Sequence, residues 1–157
     1  MRAAVLTVSD SAAAGTREDI SGPALCARLN TTALRVVPDE VPQIQAALIE
    51  WADSGDFDII VTTGGTGIAT RDVTPEATKG VLDREVPGLA EWMRFQGMQK
   101  TSRAILSRGL AGIRKKCVII NVPGSPKGAV ESIDTVAPLI PHMIDLLRGN
   151  TEHGNSR

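Results

Sequence analysis

Three short segments combine glycine with hydroxyl or charged residues, a composition that suits the binding of phosphate or another anion. They offer backbone N–H groups, hydroxyls and one lysine ammonium. A run of glycines after a strand can also be only a tight turn, and the middle segment alone leaves both interpretations open. The segments are Ser9-Asp10-Ser11, Gly64-Gly65-Thr66-Gly67 and Gly124-Ser125-Pro126-Lys127-Gly128.

The middle segment matches neither of two common phosphate-binding signatures. Thr70 stands where the dinucleotide-binding pattern G-x-G-x-x-G, read from Gly65, needs its last glycine. The P-loop pattern G-x-x-x-x-G-K-[ST] does not occur in the chain. Phosphoryl transfer of the Walker type is therefore not supported.

Two carboxylates, Asp39 and Asp72, accompany these segments. Arg71 and Asp72 come directly before a predicted helix, whose N-terminal dipole favours an anion such as phosphate. Asp39 follows a predicted strand, and Mg²⁺ is usually held by one or two carboxylates together with substrate phosphates. The pair therefore predicts a magnesium site, with Arg71 as a phosphate ligand. The alternatives are that Asp39 and Asp72 cap helices and that Arg71 is a solvated surface charge.

An alternation of strands and helices must position these residues. Apolar runs rich in β-branched residues predict buried parallel strands, and amphipathic segments with an early proline predict helices between them. The predicted strands are Arg2 to Val8, Ala33 to Val37, Asp58 to Thr63 and Cys117 to Val122. The predicted helices are Pro23 to Leu29, Pro42 to Asp53 and Pro75 to Leu82, the last with Thr74 as its N-cap.

The rest of the chain is predicted to be mainly helical from Pro87 to Arg108, with a short strand over Gly109 to Ile113. Apolar residues from Val130 to Leu147 keep a helical period that Pro138 and Pro141 must kink or split. The fold class is therefore α/β, a three-layer, doubly wound and mostly parallel sheet with helices on both faces. Ligands bind such sheets beyond the carboxyl ends of the strands, where the three glycine-containing segments converge.

Composition limits the class of partner. A chain of 157 residues with 42% hydrophobic content predicts one domain over 1–150, followed by a frayed tail at 151–157. The net charge of -1 disfavours nucleic acid and anionic membranes as partners, and 3% aromatic content disfavours ligand binding by ring stacking. Cys26 and Cys117 are predicted to be buried free thiols. With no signal peptide or membrane span in the sequence, we expect a cytoplasmic protein.

Several blocks, in order from about Val5 to Arg148, resemble the molybdopterin adenylyltransferase family. This family includes bacterial molybdenum-cofactor enzymes, the plant cofactor G domain and the N-terminal domain of gephyrin. The blocks are Leu6-Thr7-Val8-Ser9-Asp10-Ser11, Ser21-Gly22-Pro23, Val37-Pro38-Asp39-Glu40, Thr62 to Gly67, Arg71 to Ala77, Leu106-Ser107-Arg108 and Asn121-Val122-Pro123-Gly124-Ser125.

The resemblance implies a three-layer α/β enzyme that uses Mg²⁺ and ATP to attach AMP to the terminal phosphate of molybdopterin, releasing pyrophosphate. Its functional carboxylates, which would hold the metal, map onto Asp39 and Asp72. Lys127 lies in a stretch that varies among relatives. The pterin and phosphate contacts map onto Ser9, Asp10, Ser11, Thr63, Gly64, Gly65, Thr66, Gly67, Gly124, Ser125, Pro126 and Lys127.

The resemblance also implies a homotrimer. The chain lacks the fused molybdate-inserting domain of eukaryotic relatives, so a separate protein is expected to perform that step. The alternatives are a non-catalytic molybdopterin-binding or scaffold protein of the same family and an unrelated nucleotide-binding regulator. Both Asp39 and Asp72 are present, which favours the enzyme, because a protein that only holds the pterin has no need of metal-binding carboxylates. The regulator would require the ordered blocks to be coincidence.

Overall fold

A computed structural model describes residues 1–150, which form one six-stranded sheet covered by helices. The tail predicted at 151–157 lies outside the described residues. The strands are β1 (Ala3–Val8), β2 (Leu34–Val37), β3 (Ile59–Thr63), β4 (Arg84–Glu85), β5 (Ala111–Arg114) and β6 (Cys117–Val122). The helices are α1 (Asp10–Ala13), α2 (Ser21–Leu29), α3 (Val41–Ser54), α4 (Thr74–Lys79), α5 (Pro87–Met98), α6 (Pro126–Val136) and α7 (Ile140–Leu147), with 3₁₀ helices at Ser102–Leu106 and Ala137–Leu139.

The sheet is mostly parallel, as predicted. Its strand order is β2-β1-β3-β6-β5-β4, in which the first four strands are parallel and β5 is antiparallel to both of its neighbours. From β1 the chain passes to β2 on one side and then to β3 on the other. The loops after β1 and β3 therefore flank the crevice that opens where the strand order reverses, which is the usual ligand position in such sheets.

The core lies on both faces of the sheet, because side chains alternate along each buried strand. In β1, Val5 packs into one apolar cluster with α2, α5, α6 and α7, while Leu6 packs into the other with α3 and α4. In β3, Ile59 packs into the same cluster as Val5, and Ile60 packs into the same cluster as Leu6. This arrangement confirms the three-layer α/β class and explains why the central strands are continuous apolar runs.

The segment from Pro87 to Arg108 is mainly helical, as predicted, but it consists of two pieces: α5 ends at Met98, and the chain turns back as a 3₁₀ helix over Ser102–Leu106. Gly97 permits this return, because a Cβ there would lie 2.8 Å from the Cβ of Ala104. Thr74 is not the N-cap of α4; Val73 occupies that position, and the Thr74 hydroxyl donates to the carbonyl oxygen of Gly64 at 3.0 Å.

Other local predictions were confirmed. The strand predicted over Gly109 to Ile113 is β5, which pairs with β6 across a short turn. The final helical segment is split, with Pro138 inside the second 3₁₀ helix and Pro141 in the first turn of α7. Cys26 and Cys117 are both buried free thiols. Within residues 1–150, no helix combines the length and the apolar character that crossing a bilayer requires.

Candidate functional site

The glycine segment after β3 forms a tight loop that only glycine fits. Gly64 and Gly65 have φ angles of +97° and +67°, which disfavour residues with a Cβ. A Cβ on Gly64 would lie 2.3 Å from the carbonyl oxygen of Val8, at the end of β1. A Cβ on Gly65 would lie 2.3 Å from Thr74 Oγ1 and 3.0 Å from Asp39 Oδ1. The loop is therefore packed against β1, α4 and the Asp39 carboxylate.

Two hydrogen bonds join Asp39, which follows β2, to Asp10, which follows β1. The Asp10 amide donates to Asp39 Oδ2 at 2.9 Å, and the Asp39 amide donates to Asp10 Oδ1 at 3.0 Å. Burial raises the pKa of Asp39, and the neighbouring carboxylates of Asp10 and Asp72 raise it further. A divalent cation would relieve this crowding of negative charge.

Arg71 binds Asp10 and the neighbouring carboxylate of Glu40. Its guanidinium donates to both carboxylate oxygens of Asp10, from Nε at 3.0 Å and from Nη2 at 2.9 Å. Nη2 also donates to Glu40 Oε1 at 2.9 Å. The hydrogen bonds from Arg71 to Asp10 hold the pKa of Asp10 below its usual range. Arg71 is therefore exposed but ion-paired, which differs from a freely solvated charge.

Asp72 lies beside Gly67, the last residue of the glycine loop. Its Oδ2 accepts a hydrogen bond from the Ala69 amide at 3.0 Å, and a Cβ on Gly67 would lie 2.8 Å from the same oxygen. Neither Asp72 nor Asp39 caps a helix, because Val73 and Glu40 are the N-caps of α4 and α3. The capping alternatives raised by the sequence are thus excluded.

The two carboxylates fit a magnesium ion held in part by substrate. Within residues 1–150 there is no cluster of three or more His, Cys, Asp or Glu side chains that could enclose a metal ion. Mg²⁺ keeps several water ligands and is commonly bound by one or two carboxylates together with substrate phosphates. Asp39 and Asp72, both beside a loop rich in backbone N–H groups, supply such a donor set.

The segment after β6 lies against the glycine loop. A Cβ on Gly124 would lie 3.3 Å from the Cα of Gly64. Ser125 is the N-cap of α6, and its Oγ accepts a hydrogen bond from the Gly128 amide at 3.1 Å. The side chain of Lys127 is 87% exposed, and its Nζ lies 4.0 Å from Glu131. Pro126, at the first position of α6, is also exposed.

The hydroxyls of Thr63, Ser9 and Ser11, like that of Ser125, are engaged within the protein. Thr63 is fully buried, and its hydroxyl contacts the Pro123 carbonyl oxygen at 2.8 Å and Ser21 Oγ at 3.1 Å. Ser9 is the N-cap of α1, where its Oγ accepts from the Ala12 amide at 3.2 Å and lies 3.3 Å from Ser11 Oγ. Thr63 therefore braces the second and third segments against each other.

A cavity of about 700 Å³ opens beside the glycine loop, between α5, the first 3₁₀ helix and α6. This volume lies within the range of about 300–1,000 Å³ that is common for ligand pockets. The predicted site residues that line the cavity are Gly65, Thr66, Gly67, Asp72, Gly124 and Ser125. Those that lie outside it, toward the ends of β1 and β2, include Ser9, Asp10, Ser11, Asp39 and Arg71. The site thus has two parts, which meet at the glycine loop.

The far wall of the cavity carries polar residues that the sequence reasoning missed. Arg94 is half-buried, and its Nη1 donates to the carbonyl oxygens of Ser107 and Gly109 at 3.3 and 3.0 Å. The polar residues of α6 repeat every three or four positions after Gly128, a pattern visible in the sequence. The missed polar lining residues are Arg94, Gln96, Lys100, Thr101, Arg103, Ser107, Asn121, Glu131, Ser132 and Thr135.

Comparisons with known proteins find relatives that match nearly the whole chain. A family model described as "Probable molybdopterin binding domain" matches residues 4–142. The molybdopterin adenylyltransferase of Helicobacter pylori strain J99 is 44% identical over 160 residues, which cover 98% of this chain and 91% of that protein. The molybdenum cofactor synthesis protein cinnamon of Drosophila melanogaster is 41% identical, over 91% of this chain and 25% of that protein.

A crystal structure described as the molybdopterin biosynthesis enzyme MoaB from Thermus thermophilus has the same fold. It superposes with a TM-score of 0.88 at 50% sequence identity, and the match covers 94% of this chain and 96% of that chain.

Proposed function

This chain belongs to the molybdopterin-binding domain family, and on that premise we propose that it is a molybdopterin adenylyltransferase of molybdenum cofactor biosynthesis. The proposed reaction joins AMP from ATP to the terminal phosphate of molybdopterin and releases pyrophosphate. The observation that carries this proposal is that both carboxylates lie against the glycine loop, Asp39 beside Gly65 and Asp72 beside Gly67, and that Asp72 also lines the cavity. A site that only held a pterin would not require this carboxylate pair.

Asp39 and Asp72 would hold Mg²⁺, which neutralises phosphate charge and orients the reacting groups when bound. The attacking group is a phosphate monoester whose second pKa is about 6, so it is mostly ionised at neutral pH and needs no general base. The obstacle is the approach of one polyanion to another. Backbone N–H groups of the glycine loop and the N-terminus of α6 would hold the phosphates in place, with Ser125 at the pterin phosphate.

The cavity suits the pterin. Arg94, Lys100 and Arg103 outnumber the one carboxylate of its far wall, Glu131, which is ion-paired with Lys100 at 3.1 Å. No aromatic side chain lines the cavity among the described residues. Polar edges and backbone groups would therefore hold the pterin, in place of ring stacking. The nucleotide phosphates would lie outside the cavity, near Asp39 and toward Ser9, Asp10, Ser11 and Arg71. Arg71 would have to exchange a carboxylate partner for phosphate.

Pyrophosphate release tests the proposal. Purified protein is mixed with molybdopterin, ATP and Mg²⁺, and pyrophosphate is followed with a coupled enzyme assay. We expect release that requires all three components. Tight binding of molybdopterin without pyrophosphate release would instead identify a non-catalytic binding or scaffold protein.

We also propose that the enzyme is a homotrimer, which a sizing experiment with light scattering would test. Because ATP is an intracellular co-substrate, the reaction would take place in the cytoplasm. The adenylated product would pass to a separate molybdate-inserting protein.

A further inference from the structure

One guanidinium joins the glycine loop to Asp72 and to α4. Arg108 Nε donates to the carbonyl oxygen of Gly67 at 2.8 Å, and Nη2 donates to that of Asp72 at 2.6 Å. Nη1 donates to both carboxylate oxygens of Glu76, at 2.9 and 2.8 Å. The backbone amide of Arg108 also donates to the carbonyl oxygen of Thr66 at 2.8 Å. Arg108 therefore contacts the segment from Thr66 to Glu76 at four points.

These contacts fix the turn that carries the Asp72 carboxylate. Within the turn, the Ala69 amide donates to Asp72 Oδ2, and the Asp72 amide donates to the Ala69 carbonyl oxygen at 2.9 Å. Arg108 binds the carbonyl oxygens at the two ends of this turn, Gly67 and Asp72. The direction in which the carboxylate points thus depends on the guanidinium.

Arg108 does not line the cavity, whereas Leu106, Ser107 and Gly109 do. Its guanidinium instead binds the carbonyl oxygens of Gly67 and Asp72 and the carboxylate of Glu76 in α4. The cavity side of this segment has its own support, because Arg94 binds the carbonyl oxygens of Ser107 and Gly109. A change at Arg108 should therefore disturb Asp72 and the adjoining glycine loop more than it disturbs the far wall of the cavity.

We infer that Arg108 is a positioning residue, which orients the Asp72 carboxylate for metal binding without touching either substrate. The inference rests on the proposed function, because it assigns a metal role to Asp72. Lysine cannot replace arginine here, since one ammonium group cannot reach Gly67, Asp72 and Glu76 in their different directions.

The test compares Arg108→Lys with a matched control, Arg114→Lys. Arg114 makes a similar set of hydrogen bonds away from the site: it donates to both carboxylate oxygens of Asp53 at 2.8 and 3.0 Å and to the Val81 carbonyl oxygen at 2.9 Å. Both variants lose guanidinium hydrogen bonds, but only those of Arg108 hold the turn that carries Asp72. For each we would measure melting temperature, kcat, the Mg²⁺ concentration for half-maximal rate, and molybdopterin affinity without metal.

We expect Arg108→Lys to lower kcat by about 10- to 100-fold, the range that small misplacement of a reacting group produces. We also expect it to raise the Mg²⁺ requirement by about tenfold and to leave molybdopterin affinity unchanged. Arg114→Lys should lower the melting temperature but keep the wild-type kcat and Mg²⁺ requirement. Wild-type kinetics in Arg108→Lys, or a loss of molybdopterin affinity equal to its loss of kcat, would overturn the inference.

Two further measurements keep the test decisive. If Arg108→Lys does not fold, Glu76→Gln removes the charged partner of the guanidinium with little change of shape, and it should raise the Mg²⁺ requirement several-fold. An unchanged requirement in Glu76→Gln would then overturn the inference. If the wild-type protein releases no pyrophosphate, the proposed function fails by itself. Mg²⁺–ATP affinity, measured by titration calorimetry in wild type and Arg108→Lys, still tests Arg108, and equal affinities would refute its role.

Discussion

Gly65 permits a quantitative test of the glycine loop, because the chain offers a glycine that is matched in backbone conformation but not in surroundings. Gly65 has a φ angle of +67° and is packed against Thr74 and Asp39. Gly55 ends α3 with a φ angle of +77°, and a Cβ there would meet nothing within 4 Å. Gly55→Ala therefore imposes only the backbone cost, whereas Gly65→Ala adds the cost of a close contact.

The backbone cost is about 1–2 kcal/mol for a residue with a Cβ in the left-handed region. A Cβ at Gly65 would lie 2.3 Å from Oγ1 of Thr74, a residue that is itself fully buried. Overpacking of this kind costs about 1–3 kcal/mol. Displacement of the Thr74 hydroxyl from the Gly64 carbonyl oxygen costs about 1 kcal/mol more. We therefore expect Gly55→Ala to lower the free energy of unfolding by about 1–2 kcal/mol, and Gly65→Ala by about 3–6 kcal/mol.

Urea unfolding of both variants gives the two free energies, and pyrophosphate release under conditions where each variant is folded gives the activity. Gly65→Ala should also be nearly inactive, because its Cβ would lie 3.0 Å from Asp39 Oδ1 and would displace the carboxylate. Gly55→Ala should keep wild-type turnover. Equal losses of stability in the two variants, together with full turnover in Gly65→Ala, would show that the loop is only a turn.

Three further predictions concern the metal, the pterin and acid stability. Asp72→Asn should slow adenylyl transfer by orders of magnitude and raise the Mg²⁺ requirement while pterin affinity is preserved; an unchanged rate and Mg²⁺ requirement would remove the metal role. Ser125→Asp should repel the phosphate end of molybdopterin, so unaltered affinity in equilibrium binding would exclude this loop as its site. Burial by itself would raise the pKa of Asp58, but hydrogen bonds from the amide and guanidinium of Arg2 and from Arg148 outweigh it and lower the pKa to about 2. Because the folded-state pKa lies below the ordinary value of 3.8, ionised Asp58 stabilises the fold above about pH 4, and this contribution disappears as the pH falls through about 2. Asp58→Asn should then lower the free energy of unfolding by about 2 kcal/mol at pH 7 but have little effect near pH 2, as measured by urea unfolding at both values.

Much of the fold could be predicted because the burial of a strand requires a run of apolar residues, which is visible in the sequence. The strands β1, β3 and β6 are buried on both faces, so they are continuous apolar runs that contrast with the polar loops after them. Parallel strands then bring the three glycine-containing segments to one edge. The fold class and the general position of the site follow from these two facts. The break after Met98 could not be predicted, because the contact of Gly97 with Ala104, where the chain returns against α5, exists only in the folded protein.

The sequence by itself predicted the central strands and singled out the glycine-containing loops at their ends, together with Asp39 and Asp72, as candidate phosphate and metal ligands. Only the tertiary structure decided which groups these residues contact. Arg71 binds Asp10 and Glu40, Thr63 faces the interior, and Arg108 holds a segment more than thirty residues away. It also decided the far wall of the cavity, where Arg94 and Lys100 join residues of α6. The physical reason is that periodicity along the chain reports the burial of each residue, whereas its partners depend on strand order and helix packing, which arise from contacts between distant segments.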